Sequence, residues 1–430
     1  MTDWDLVHAE QRESRPSAHW LDVDLTDHGL YRTGVPYELF RALRDEHPVW
    51  RHSRVPTPRS PEGVDFWVVL GHAEVQAVSR DWRTYSSLEG LSINPTAPEH
   101  QGHTILTMDP PAHTRIRKLI SAGFTPRMIA RLDELVTKRT TEVLDAAAAK
   151  DTVNFVHDVA YALPMHMISD IIGIPEGDRA DVFRWTDVIM RAADPLQDIA
   201  PAVLEEAYGS LFAYGASLGE AKRRHPIDDV WSILSTVTVE DDDGRPSRLT
   251  PLELDQFFLI LTIAGSETTR NVISSGLLAF AERSDQMEQL RTDEGLTAGA
   301  TEEMLRWATP VTCHLRTATC DHELAGQSIA RGDRLAMFFP AANRDPAVFD
   351  DPDGFDIRRH PNPHVSFGGG GLHFCLGAHL ARREISVMFR HLLTRFPRIE
   401  ITGPVTYLVT GLEQTVAVSL DDVPVRMHPS

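Results

Sequence analysis

The chain has 430 residues, 42% of them apolar and 24% charged, with a formal net charge of -20. That balance suits a large buried core, and the acidic excess excludes a general nucleic-acid binder, whose phosphate contacts need clustered cations. Its three cysteines, Cys313, Cys320 and Cys375, form no disulfide framework and fit a reducing compartment.

Length alone predicts two or three domains of about 100–200 residues, but no linker, repeat or low-complexity block divides the chain. The expected organisation is a polar arm over 1–34 and one domain over 35–430. No basic and then apolar leader opens the sequence, and no run approaches the roughly 18 apolar residues of a membrane span. The expected protein is cytoplasmic, monomeric and without a span.

In chain order, 37–48 reads as an amphipathic helix stopped by Pro48, 66–70 as a buried strand and 72–79 as a short helix. Residues 88–106 are rich in Gly, Pro, Ser and His without periodicity. They predict a long irregular loop, which inside a compact domain is usually functional. From 112 to 132 the chain carries Arg115, Arg117, Lys118, Arg127 and Arg131 and no acid. This is a solvated face, an anion site or a docking face for an acidic partner. Helices are expected over 153–172, 178–193 and 199–225, and a turn at 240–244.

Thr250, Pro251 and Glu253 spell a helix start with a capping box. The helix that follows is almost wholly apolar, except for Ala264-Gly-Ser-Glu-Thr-Thr269 in its middle. A polar notch there costs helix propensity and desolvation, which marks a functional site.

The stretch 363–384 brings four consecutive glycines, Gly368 to Gly371, up to Cys375, followed by apolar residues at helical spacing as far as Phe396. Cys375 is expected to open that helix, whose free N–H groups would favour a thiolate. Phosphate binding is disfavoured, since no Lys-Ser/Thr follows the glycines. A buried structural cysteine would not call for four glycines, and a nucleophile would want a base better placed than His373. A metal ligand is the favoured reading. Cys313-His314 and Cys320-x-His322 lack zinc-site spacing and are assigned to packing.

The notch, Glu303-Met-Leu-Arg306, the 342–359 stretch and the Gly loop with its cysteine, in this order, resemble the haem-thiolate monooxygenases, the cytochrome P450 superfamily. The resemblance runs from Tyr37 to about Leu420. It implies a mainly α fold with small β-sheets, with haem b between a long distal central helix and a proximal helix bearing the cysteine ligand. Cys375 would be the axial thiolate, Phe367 and Gly368 would lie against the porphyrin, and His113, Arg117, Arg316 and His373 would hold the propionates. Gly265 would leave room for dioxygen, Thr268 would hydrogen-bond the activated oxygen, and Glu267 would feed it protons. Glu303, Arg306 and Arg359 would form a structural ion-pair network. Partners implied are O2, a ferredoxin and an NAD(P)H-dependent ferredoxin reductase, with Arg115, Lys118, Arg127 and Arg382 as the docking cations.

The loop holds one residue more between Phe367 and Cys375 than the commonest bacterial pattern. With 264–271, 306–311 and 360–365 it resembles the actinobacterial branch acting on sterol side chains and methyl-branched lipids. Leu91, Ile93, Val188, Ile189, Ile260, Ala264, Val311, Thr312, Val409 and Thr410 are the expected pocket residues. Their apolar character suits a hydrophobic substrate. Terpenoids, polyketide intermediates and fatty acids are the alternatives within monooxygenases, and a haem-binding sensor is the alternative outside enzymes.

Overall fold

The computed structural model describes residues 23–57, 60–240, 244–409 and 417–429. Its longest element is a central helix, Pro251–Glu282. The Thr250 hydroxyl accepts the Glu253 N–H at 3.2 Å and the Glu253 carboxylate accepts the Thr250 N–H at 2.8 Å, so the capping box forms. Phe258, Val272, Ile273, Leu277 and Phe280 are buried around this helix, as expected where no broad polar face exists.

Helices Ala162–Ile172, Pro201–Arg224, Thr297–Ala308 and Ala378–Arg395 pack on the central helix. Glycines set how closely they come. A Cβ at Gly276 would stand 2.6 Å from Met304 Sδ and 2.9 Å from Phe389 Cζ. Each such glycine costs about 1 kcal/mol of helix propensity, offset by the side chains it admits.

A five-stranded sheet runs Val49–Thr57, Ser60–Val69, Arg334–Phe338, Cys313–Ala318, Tyr85–Ser86, with only the second and third strands parallel. Phe66, Val68 and Leu70 join Phe40 and Phe338 on one face; Trp67 and Val69 join Val75 and Val78 on the other. Cover on both faces explains the unbroken apolar run of the expected strand. Its hairpin partner and the two strands from the last third of the chain were not expected from sequence.

Most expected helices are present: Tyr37–Glu46, His72–Arg80, Arg179–Arg191 and Pro201–Arg224. The 153–172 segment divides into the strand Val153–Asn154, a π-helical turn Val156–Ala160 and Ala162–Ile172. Residues 88–106 hold only the 3-10 turn Pro98–His100. Of the expected turn at 240–244, residues 241–243 lie outside the described residues.

Two expectations need correction. The arm is not polar throughout, because Leu25 and Tyr31 are buried in the core with Phe40 and Trp50, and Asp194 takes both guanidinium N–H groups of Arg32 at 2.7 and 2.8 Å. Residues 1–22 are outside the described residues. The helix after the Gly loop starts at Ala378, three residues beyond Cys375, which sits in the preceding turn. Among the described residues no helix is long and apolar enough to cross a membrane.

Candidate active site

Gly368, Gly369, Gly370 and Gly371 all have left-handed backbones, with φ of 97, 66, 98 and 79°. Other residues adopt that region at a cost of about 1–2 kcal/mol each. The loop closes on the last turn of His72–Arg80: a Cβ at Gly369 would lie 2.8 Å from Ser79 Oγ, and one at Gly371 2.6 Å from Ser79 O. Arg80 Nε donates to Gly369 O at 3.1 Å. A Cβ at Gly370 would come 3.0 Å from Arg80 Nε, so three of the glycines serve contact with the protein, whereas a Cβ at Gly368 would meet nothing nearer than His373 O, at 3.7 Å.

The Cys375 N–H donates to Phe367 O at 3.1 Å. The N–H groups of Gly377 and Ala378 are directed at the thiol, but burial outweighs them and the Arg117 and Arg382 guanidiniums, raising its pKa above the ordinary value. The N–H groups at the helix start lower the cost of a thiolate without outweighing burial. A metal bound to the sulfur would outweigh it. Cys375 is nonetheless exposed, as are Phe374 and Leu376 beside it.

Near it stand two guanidiniums, Arg117 and Arg316, and two imidazoles, His113 and His373. Arg117 donates to Leu372 O at 3.2 Å and Arg316 to Leu315 O at 2.7 Å, and neither forms a salt bridge among the described residues. The His113 and His373 rings lie 4.5 Å apart. His113 is buried with no partner at Nδ1, and His373 Nε2 is 3.0 Å from Ser87 Oγ. Burial, then Arg117, brings His113 down to about 4; burial, then Arg316, brings His373 to about 2; burial brings Arg316 to about 10. The nearby Asp109 is taken up by Ser86 and by the Ser87 N–H. Two guanidiniums without a salt bridge, beside two imidazoles that can donate hydrogen bonds, fit a bound dicarboxylate such as the propionate pair of haem. Ser87 and Asp109 were missed in the sequence, where an isolated serine or aspartate carries no signal.

Across the central helix, Ala264 is exposed and Thr268, one turn on, half-buried. The Thr268 hydroxyl donates to Ala264 O at 2.9 Å. Gly265 does not face that opening: a Cβ there would meet Ile168 Cδ1 at 2.5 Å. Its missing side chain makes room for Ile168, which corrects the role expected of it. Glu267 is buried, with Oε1 paired to Arg270 and Oε2 without a partner; Arg270 lies 5.7 Å from the Tyr161 ring centroid. Arg270 was overlooked, although Glu267 and Arg270 have the same three-residue spacing as Glu303 and Arg306.

Glu303 and Arg306 are fully buried and joined by two bonds of 2.8 and 2.7 Å, with Arg359 Nε 3.2 Å from Glu303 Oε2. Arg306 also reaches the carbonyls of Asn343, Pro352 and Gly354, tying down the approach to the Gly loop. The four proposed docking cations are all engaged within the chain. Arg115 pairs with Glu253, Lys118 with Glu240 O, Arg127 with Asp228, and Arg382 with Glu302 at 2.6 and 2.9 Å.

The expected pocket residues do not all share one surface. Ile93 and Val409 are wholly buried in the core with Tyr31 and Phe40, because the sheet and the arm cover them. Thr312 is buried too, with an unpartnered hydroxyl, and Ile189 is in the main core. Leu91, Val188, Ile260 and Val311 are half-buried, and Ala264 is exposed. Thr410 is outside the described residues.

The family description "Cytochrome P450" matches residues 186–403. A relative numbered cytochrome P450 126 in Mycobacterium tuberculosis is 41% identical over 392 residues, 89% of this chain and 92% of its own. The steroid C26-monooxygenase of Rhodococcus jostii (strain RHA1) is 37% identical over 90% of this chain and 82% of its own. The solved structure of Mycobacterium marinum cytochrome P450 CYP268A2 in complex with pseudoionone superposes with a TM-score of 0.81, at 35% identity, over 96% of this chain and all of that one. A thiol and unpaired cations on one side, an alcohol on a central helix on the other, and relatives matching nearly end to end make this chain a member of the cytochrome P450 family, a haem-thiolate monooxygenase.

Proposed function

We propose that this monooxygenase hydroxylates a sterol side chain or a methyl-branched lipid, with Cys375 as the iron ligand. The observation that carries the site assignment is the pair of guanidiniums, Arg117 and Arg316, which form no salt bridge among the described residues and stand with His113 and His373 near the thiol. Those four would hold the haem carboxylates, and Phe367 and Gly368 would flank the ring. When bound, haem b supplies the activation of dioxygen and the delivery of one oxygen atom to a C–H bond.

The chain's own part is to hold, exclude and deliver. Thr268 Oγ1, bonded to Ala264 O, keeps its lone pairs free to accept and pass on a proton. Glu267 Oε2 has no partner and is the nearest acid in sequence, so it would refill that hydroxyl. The Arg270 pair fixes its rotamer. Half-buried Leu91, Val188, Ile260 and Val311 would present an apolar wall to the substrate.

The substrate class rests on relatives. Besides the Rhodococcus protein, a methyl-branched lipid omega-hydroxylase of Mycobacterium bovis is 37% identical over 84% of this chain. An acyclic terpenoid ketone is the second reading, favoured by the pseudoionone in the Mycobacterium marinum structure. Electrons would come from a ferredoxin and its NAD(P)H-dependent reductase. Since Arg115, Arg127 and Arg382 are already paired with carboxylates and Lys118 with a backbone carbonyl, such a partner would have to compete with these acceptors or use other residues. The test is titration of the ferric holoprotein with sterols, branched lipids and terpenoids, followed by turnover with added electron-transfer proteins. A high-spin shift and hydroxylated product from a sterol or branched lipid are expected; response to terpenoids alone overturns the substrate class.

A further inference from the structure

The His364 imidazole, just ahead of Phe367 in the chain, has a side chain only 2% exposed, and the chemistry described so far gives it no task. The segment that carries it is fixed from two directions. Ser366 Oγ donates to Leu305 O at 2.8 Å, and Asn343 donates to Ser366 Oγ at 2.9 Å while accepting the Val365 N–H at 2.7 Å. Asn343 is itself fully buried. His364 therefore projects from a rigid mount.

Its two ring nitrogens have different partners. Nδ1 accepts the Ser366 N–H at 3.2 Å, which assigns the proton of the neutral ring to Nε2. Nε2 lies 3.0 Å from Oε2 of Glu302, on the helix Thr297–Ala308, and donates to it. That carboxylate takes Nε and Nη2 of Arg382 at 2.6 and 2.9 Å, and the guanidinium carbon lies 4.5 Å from the Phe367 ring centroid. The Phe367 carbonyl in turn accepts the Cys375 N–H at 3.1 Å. One chain of contacts thus leads from His364 to the thiol through Glu302 and Arg382.

Exposure decides which link in that chain needs support. The Arg382 and Glu302 side chains are 36% and 31% exposed. An ion pair that open is screened by solvent and loses side-chain entropy when two long side chains keep one geometry. Among the described residues no other cation is bonded to Glu302 and no other carboxylate to Arg382, so nothing else keeps the pair from turning out together into water. We infer that His364 is a positioning residue for electron uptake: by holding Glu302 it keeps the Arg382 guanidinium against Phe367, beside the thiolate, where positive charge favours reduction of the haem. The inference rests on the reading of Cys375 as the iron ligand.

The test is spectroelectrochemical titration of the holoprotein as wild type, His364→Asn, His364→Gln, Arg382→Ala, and His364→Asn combined with Arg382→Ala. Asparagine can still accept the Ser366 N–H but is too short to reach Glu302, whereas glutamine puts an amide N–H near the place of Nε2. His364→Asn should make the potential more negative, by less than Arg382→Ala does, and His364→Gln should stay near wild type. With Arg382 already replaced, His364→Asn should add nothing, as expected of two residues acting through one contact. Haem content and the reduced carbonyl spectrum are recorded for each variant, and His364→Leu takes the place of His364→Asn if that variant does not hold haem. An unchanged potential in His364→Asn, an equal shift in His364→Gln, the same shift with and without Arg382, or loss of haem from every His364 variant overturns the inference. A wild type whose carbonyl complex lacks the thiolate band would instead reject Cys375 as the ligand, and this inference with it.

Discussion

Arg382 holds its guanidinium carbon 4.5 Å from the centroid of Phe367, and the Phe367 carbonyl accepts the Cys375 N–H at 3.1 Å. Two bonds to Glu302 fix Arg382 there, and His364 holds the same carboxylate at 3.0 Å. A side chain expected to dock a partner thus places positive charge beside the thiol, where it lowers the cost of a thiolate. Replacing it by alanine should make the haem reduction potential more negative, because the ligand's charge is then less compensated. Arg382→Lys should recover part of the shift in a spectroelectrochemical titration; an unchanged potential in both would remove Arg382 from the thiolate's environment.

Glu302 also sets an acid limit. Burial pushes its carboxyl up, but bonds from His364 and Arg382 win and bring it to about 2, from an ordinary 4.5. A carboxyl with a depressed folded-state pKa stabilises fully above its ordinary value and loses that contribution as pH falls towards the folded one. Stability from this group should fade between about pH 4.5 and pH 2. With the side chain 31% exposed, we expect about 1–2 kcal/mol rather than the full linkage value. Glu302→Gln should flatten that part of the acid denaturation profile while costing stability at pH 7.

Glu303 is a harder case, since both it and Arg306 are cut off from water. Glu303→Gln leaves two guanidiniums without their carboxylate and should cost about 3–5 kcal/mol, as breaking a buried pair does. Urea unfolding would measure it. We also expect a low haem-to-protein ratio after expression, because Arg306 anchors the carbonyls that lead into the Gly loop.

The glycines of that loop are not equivalent. Gly371→Ala adds a Cβ 2.6 Å from Ser79 O and 2.8 Å from Arg80 Cα, both backbone, on top of an unfavourable φ of 79°. Gly368→Ala carries only the φ cost, about 1–2 kcal/mol. Melting temperatures should fall in both and further for Gly371→Ala; the reverse order would mean that the loop does not rest on Ser79 as seen here.

Thr268→Ala should keep haem and the carbonyl spectrum but separate NADH consumption from product by removing the hydroxyl that passes protons. Cys375→Ser should abolish the thiolate spectrum of the reduced carbonyl complex. Full coupling in the first, or an intact spectrum in the second, would falsify the role given to that residue.

Signals confined to neighbouring residues were legible in the chain itself. Thr250, Pro251 and Glu253 state a helix start within four residues, and the run of glycines before Cys375 states a left-handed loop, because caps and backbone sterics act locally. The exposed Ala264 and half-buried Thr268 follow from a polar notch at helical spacing. Local periodicity could not say that Gly265 would face Ile168, far earlier in the chain, or that Arg382 would pair with Glu302. Nor could it place the strand at 60–69 beside Arg334–Phe338, or the Gly loop on Ser79. Those contacts join segments far apart in the chain, and only tertiary packing decides which surfaces meet. What the sequence determined was the chemistry available, a thiol, an alcohol, an acid and a set of cations; the tertiary structure decided which cations stay without a carboxylate and so can receive one.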